Sequence, residues 1–224
     1  MAIILNINTA FETASVFLSR DESVISSAKN NSPKDQASFL EPAIKKICAE
    51  ANVSLKQIDA VAVLNGPGSY TGLRVGLSSA KALCYTLNKP LILLNTLDVM
   101  AFALKMQYDG ADKNVLFCPA IDARRMEIFT ALYDFELNIV SPYDSKIIDA
   151  DFLKEFRSRI IVSGGNGIVK MKQIVSNEKF IYINFLLLEK SIVILSNQAF
   201  NSEVFANIVY SEPIYLKPVY FRNK

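Results

Sequence analysis

The stretch that most limits what this chain can become is Asn65-Gly66-Pro67-Gly68-Ser69-Tyr70-Thr71-Gly72-Leu73-Arg74-Val75-Gly76. It follows the apolar run DAVAVL at 59–64, which reads as a buried strand, and it opens a helical pattern predicted over about 71–87. Gly66 and Gly68 let the backbone turn sharply and approach another surface. Ser69 or Thr71 can cap the helix, and the free amides at the helix start favour an anion. The loop lacks the Gly-Lys-Ser/Thr ending of a Walker A sequence and is not a GxGxxG dinucleotide fingerprint. On spacing alone, a strand-to-helix turn with no ligand is the plainer interpretation.

Upstream, 3–8 is a short, mostly apolar strand, 13–18 follows after a turn, and 23–29 follows the polar Ser19-Arg20-Asp21-Glu22. Two hairpins in succession make a three-stranded meander. A helix then begins with Ser32 as N-cap, Pro33 at the first helical position and Asp35 at the third. Ala37, Leu40, Ile44, Ile47, Cys48 and Ala51 recur at helical spacing, and Pro42 inside the pattern removes a backbone hydrogen bond and bends the helix. After the loop helix, a strand is predicted over 91–95 and a third helix over 96–106.

The polar, turn-rich YDGADKN at 108–114 marks a domain boundary, giving an N-terminal domain 1–108 and a C-terminal domain 109–224. The second half echoes the first: an apolar strand at 115–122 ends in a carboxylate and leads through a short polar turn to a strand at 126–133. This is a weak internal repeat of strand, turn, strand. A short helix at 151–157, a strand at 159–163, the turn Gly164-Gly165-Asn166-Gly167 and a last helix over about 197–210 complete the pattern, with the last helix and tail packing back on the first domain.

Charge and composition remove whole classes of chemistry. The 224 residues carry 24 Lys plus Arg against 22 Asp plus Glu, a net charge of +2, so neither disorder nor a strong basic field is expected. No histidine is present, which excludes Ser-His-Asp and Cys-His hydrolysis and any histidine-containing metal site. Cys48, Cys84 and Cys118 sit among apolar neighbours as buried, reduced thiols. The opening residues lack a basic n-region, and the apolar runs 91–94 and 185–188 are far too short to cross a membrane. A cytoplasmic protein is expected.

Other features admit two explanations. Gly72, Gly76 and Ala80 form a small-residue stripe that lets another helix approach, from a partner or from the same domain. Asn8-Thr9-Ala10 and Ile121-Asp122-Ala123-Arg124-Arg125 end strands where an acid could hold a metal-bound phosphate. The first has Asn, however, and Asp122 alone is a poor metal site. The cluster Asp122, Arg124, Arg125, Glu127 reads first as a solvated or mutually paired surface. The aromatic and basic tail 213–222 suits either single-stranded RNA or simple docking.

The chain resembles the TsaB (YeaZ) family. Gly66 to Gly76 is similar to that family's GPGS[FY]TGLR[IV]G signature. Ile7-Asn8-Thr9-Ala10 resembles the IDTA strand, Ile121 to Arg125 with Glu127 resembles IDARRxE, Gly165-Asn166-Gly167 resembles GNG, and Pro213 to Lys217 resembles PxYLR. These matches span nearly the whole chain in the family's order. Asn8 stands where many members have Asp, and Gln36 where the helix often has His.

The resemblance implies an α/β protein with a two-domain actin-like (ASKHA, ribonuclease H-like) fold of mixed sheets flanked by helices. It implies the non-catalytic subunit in threonylcarbamoyladenosine formation beside the tRNA anticodon, paired with the catalytic paralogue TsaD, recruiting the ATPase TsaE, and meeting tRNA through the complex. ATP and metal are expected on the partner subunits and no cofactor on this chain. Relatives that perform the transfer use histidine ligands, which are absent here. The implied pairing surface is Gln36 and Leu40 with Gly72, Leu73, Gly76, Leu77 and Ala80, and Arg74, Arg124 and Arg125 are the candidates for anion contact. The rivals are a small kinase using Asn8, Thr9 and Asp122 around ATP and magnesium, a peptidase-like protein, and a stand-alone homodimeric binding protein.

Overall fold

The structure, a computed structural model, describes residues 1–30, 35–175, 178–184, 186 and 188–217. The first strands are β1 (Ile3–Asn8), β2 (Ser15–Arg20) and β3 (Ser23–Lys29), followed by α1 (Gln36–Glu50), β4 (Ala60–Leu64), α2 (Tyr70–Leu87), β5 (Leu91–Leu94) and α3 (Thr96–Gln107). Then come β6 (Val115–Pro119), β7 (Ile121–Asp122), β8 (Glu127–Tyr133), β9 (Ile139–Ile147), β10 (Ile160–Gly164), α4 (Ile168–Ile174), β11 (Phe180–Ile183) and α5 (Leu188–Asn201).

The first sheet has the order β3-β2-β1-β4-β5. Its meander β3-β2-β1 is antiparallel, and β1, β4 and β5 run parallel. Both faces of the central strands are covered, which is why β1 and β4 read as nearly continuous apolar runs. On one face Leu5, Ile7, Val61 and Val63 pack under Leu40, Ile44 and Ile47 of α1 and Leu77, Ala80 and Cys84 of α2. On the other, Ile4, Phe17, Ala62, Leu64 and Ile92 meet Val99 and the α5 residues Ile192 and Val193. Each such aliphatic side chain taken from water contributes about 1.5–3 kcal/mol. Asn88, in the left-handed region at φ 52°, ends α2.

The second sheet repeats this plan. Strand β6 lies between β8 and β10, β9 pairs with β8, and β11 pairs with β10. The order β9-β8-β6-β10-β11 reproduces that of the first sheet, antiparallel on one side of β6 and parallel on the other. Its core gathers Leu116, Cys118, Ile128, Leu132, Ile161 and Met171.

Several expectations are corrected. Helix α1 begins at Gln36 behind Asp35, which makes no side-chain cap, and the proposed cap at Ser32-Pro33-Lys34 lies outside the described residues. Ala37 is exposed, and Gln36 and Ala43 take places on the buried face. The strand expected over 115–122 breaks at Ala120 into β6 and β7. Strand β9 was not expected, and the helix expected over 151–157 is a single 3-10 turn, Lys154–Phe156. The last helix is α5, displaced toward the N-terminus from 197–210, because Glu203 at φ 55° and the bridge from Ala206 to Leu91 turn the chain after Asn201.

The chain forms two compact units, Met1–Val99 with Leu188–Ile214, and Met100–Leu187 with the residues from Tyr215 on. The division therefore falls inside α3 rather than at 108, and α5 belongs to the first unit. Among the described residues, no helix is long and apolar enough to cross a membrane.

Candidate functional site

In the first unit the glycine-rich loop leaves β4 through Asn65 and enters α2 at Ser69, whose Oγ accepts from Gly72 N at 3.3 Å. The sequence offered Ser69 or Thr71 as cap; Ser69 takes the role and Thr71 is exposed. The loop is tied on every side. Asn65 N donates to Leu94 O, Thr96 N to Gly66 O, Ser69 N to Ala10 O at 2.7 Å, and Ile214 N to Asn65 O at 2.7 Å. Gly66 takes φ 117° and is followed by a cis bond to Pro67; both residues are buried.

The glycines face the chain's own backbone and the side chains of Thr9 and Gln36. A Cβ on Gly68 would lie 2.4 Å from Ala10 O, one on Gly72 2.0 Å from Thr9 O and 2.4 Å from Gln36 Oε1, and one on Gly76 2.1 Å from Thr9 Oγ1. A Cβ on Gly66 would lie 2.6 Å from Ile214 O. Gln36 Nε2 in turn donates to Phe11 O at 2.7 Å and Glu12 O at 3.3 Å. Asn8 Oδ1 accepts from Ala10 N at 3.3 Å. The loop, α2 and the β1–β2 turn are therefore one packed knot, and close approach within the unit explains its small residues.

This corrects the expected pairing surface. Gln36, Leu40, Gly72, Leu73, Gly76, Leu77 and Ala80 are all buried within the first unit. The outward residues of α2 are Tyr70, Thr71, Arg74, Ser78, Ala82, Tyr85 and Thr86, and Tyr85 is 82% exposed. Arg74 lies 4.1 Å over the Tyr70 ring, a cation–π contact.

In the second unit, three motifs distant in sequence converge. Asp122 Oδ1 accepts from Arg124 N and from Lys170 Nζ, each at 2.6 Å, and Asp122 N donates to Asn166 Oδ1 at 2.8 Å. Glu127 pairs with Lys217 and accepts from Ser145 Oγ at 2.9 Å, while Lys217 also reaches Ala123 O at 3.2 Å. The Lys217 hydrogen bond, then that from Ser145, holds the Glu127 carboxyl below its ordinary range. Both acids of the cluster are thus paired, each with a lysine from outside the motif. Between the pairs, Arg124 and Arg125 take φ 63° and 48° on an exposed turn. A residue with a Cβ costs about 1–2 kcal/mol in that conformation. Lys170 and Ser145 carried no signal in the sequence, and Lys217 only that of its tail motif.

The tail is docked: Ile214 seals the loop in the first unit and Lys217 the cluster in the second, and residues 218–224 lie outside the described part. All three cysteines are free and buried. Burial pushes the Cys84 and Cys118 thiols up to about 11, far from a reactive thiolate. Among the described residues, no three His, Cys, Asp or Glu side chains gather as a metal site would need.

Two sheets with one strand order, antiparallel on one side and parallel on the other, and helices packed on them, give the chain an actin-like (ASKHA) fold. YeaZ from Pseudomonas aeruginosa superposes with a TM-score of 0.79 over 96% of this chain and 100% of that one, at 21% identity. A candidate N-acetylglucosamine kinase from Porphyromonas gingivalis shares the fold at a TM-score of 0.50, covering 89% of this chain and 100% of that one, with 6% identity. The family described as TsaD, tRNA N6-adenosine threonylcarbamoyltransferase, matches residues 31–203, and the chain belongs to it, in its TsaB (YeaZ) branch. The tRNA threonylcarbamoyladenosine biosynthesis protein TsaB of Bacillus subtilis is 28% identical over 158 residues, 70% of this chain and 66% of the relative. The alignment thus spans slightly less than two thirds of that relative's length.

Proposed function

We propose that this chain is the accessory subunit in threonylcarbamoyladenosine formation on tRNA, without an active site of its own, binding and activating a TsaD-type catalytic paralogue. The observation that carries the reading is the use made of the glycine-rich loop. Gly68, Gly72 and Gly76 lie against Thr9 and Ala10 of the same unit, so these close approaches are spent on the chain's own fold rather than on a phosphate. Asp122, the acid at the matching strand end of the second unit, is engaged by Lys170. Such a chain acts by shaping a partner. In this reading ATP and metal belong to the partner subunits, TsaE joins the assembly, tRNA is met through the complex, and the compartment is the cytoplasm.

The pairing face moves from the buried stripe to the outer faces of α1 and α2. Tyr85, with its ring exposed, is the anchor on α2, since large aromatics carry much of the energy at interfaces. Reconstituted product formation on unmodified tRNA, with the catalytic paralogue, the ATPase and the threonylcarbamoyl-adenylate synthase, tests the reading. Product is expected only when this chain is added, and equal product without it overturns the role. Tyr85→Glu is expected to abolish pairing in sedimentation while leaving the chain folded. Unchanged pairing would place the interface elsewhere, and a homodimer that persists beside the paralogue would favour a stand-alone binding protein.

A further inference from the structure

We infer that the Arg124-Arg125 turn of the second unit is a contact for the phosphodiester backbone of RNA, an inference that rests on the tRNA reading above. Both arginines occupy left-handed backbone positions that Asn or Gly would fill at lower cost. A strained turn that keeps two long cationic side chains points to a use for those side chains. The surroundings hold the turn in place. Lys170 and the Arg124 amide fasten Asp122, Asn166 holds the Asp122 amide, and Lys217 ties Ala123 to Glu127. Within the cluster Arg124, Arg125, Lys170 and Lys217 outnumber Asp122 and Glu127 by two, with Lys170 on Asp122 and both Lys217 and Arg125 acting on Glu127.

The geometry selects the class of ligand. Arg124, Arg125 and Met126 are all exposed, so among the described residues the tip is open. An open tip gains affinity only from a polymer that presents several phosphates together, where guanidinium forks match phosphate oxygens and binding releases counterions.

The test is fluorescence anisotropy of a labelled, unmodified tRNA transcript titrated with the full chain between 50 and 200 mM salt. The double variant R124N/R125G removes both charges and gives the turn residues its backbone prefers, so its thermal transition should not fall. Losing two phosphate contacts should flatten the salt slope by about 1.4–1.8, so that the affinity gap to wild type narrows roughly tenfold across that salt range. The control R20N/K56N removes the same charge from exposed positions of the first unit and should leave the slope nearly unchanged. An unchanged slope in R124N/R125G, an equal loss in the control, no measurable tRNA binding by wild type, or full displacement by ATP at constant ionic strength would each overturn the inference. Product formation with and without the wild-type chain is scored separately, so failure of the accessory role and failure of this contact are told apart.

Discussion

Replacing Gly76 by Ala probes the packed knot most directly. Alanine would gain about 1 kcal/mol of helix propensity over glycine in a helix interior. Against this, the new Cβ would sit 2.1 Å from Thr9 Oγ1, where overpacking typically costs about 1–3 kcal/mol. Thr9 is fully buried, and the gap is more than 1 Å short of ordinary contact, so the cost falls at the upper end. A net loss of about 1–2 kcal/mol is expected, or about 2–8 °C in Tm for a chain of this length. Thr9→Ala then supplies the decisive background. It deletes a methyl worth about 0.8 kcal/mol of burial, but also a buried hydroxyl without a hydrogen-bond partner, whose removal relieves a desolvation cost of similar or larger size. With Oγ1 gone, the remaining neighbours of the new Cβ stand at 3.4 Å. In that background Gly76→Ala should stabilise by about 1 kcal/mol. The sign reversal, a coupling of about 2–3 kcal/mol, would be read by calorimetry and by amide exchange along α2. A stabilising Gly76→Ala in the wild-type background, or additive effects in the double variant, would refute the close approach of α2 to the end of β1.

Gly72→Ala should be worse than Gly76→Ala, losing about 3 kcal/mol or more of stability in denaturant titration, because its Cβ would meet the backbone oxygen of Thr9 at 2.0 Å, which no rotamer can relieve. The Glu127 carboxyl is held below its ordinary value, so its contribution is full above the unfolded pKa of about 4.3 and is lost as pH falls through the folded value. The stability gap between wild type and Lys217→Ala should therefore be present at neutral pH and close in acid, as followed by Tm against pH; a gap independent of pH would contradict the pairing. Cys84 and Cys118, with thiols pushed up to about 11, should resist alkylation at pH 7.5 in native protein and react at ordinary rates in denaturant, as counted by mass spectrometry. Rapid native labelling of either would contradict their burial.

Elements buried on both faces were legible because their apolar runs are continuous: β1 and β4 fall where the sequence places them, to within a residue. The weak repeat of strand, turn, strand was the visible edge of a full duplication of sheet order. Strand β9 was hidden because Ser141-Pro142-Tyr143-Asp144-Ser145 has turn composition, yet at a sheet edge Pro needs no ladder donor and polar side chains face water. The spacing of Gly72, Gly76 and Ala80 marks a stripe that another surface can approach, and the seven residues expected at an interface turn inward instead. Spacing cannot say what packs against a stripe, and at Gly72 and Gly76 it is the chain's own Thr9. The cluster in the second unit was half legible: Asp122 and Glu127 stand in a motif, but Lys170 lies 48 residues from the Asp122 it pairs with, a contact made only by the fold.

Because α5 belongs to the first unit, that unit is discontinuous along the chain, and its assembly is a matter of timing as well as packing. A ribosome delivers β1 to β5 first, with Ile4, Phe17 and Ile92 still lacking the cover of Ile192 and Val193. At about 5–20 residues per second, the interval between emergence of Val99 and of Asn201 is on the order of 5–20 s. Through that time the nascent sheet presents a bare apolar face and an open claim on holdase chaperones. A stop codon anywhere before residue 188 would not trim away the second half and spare the first. It would leave both halves unfinished.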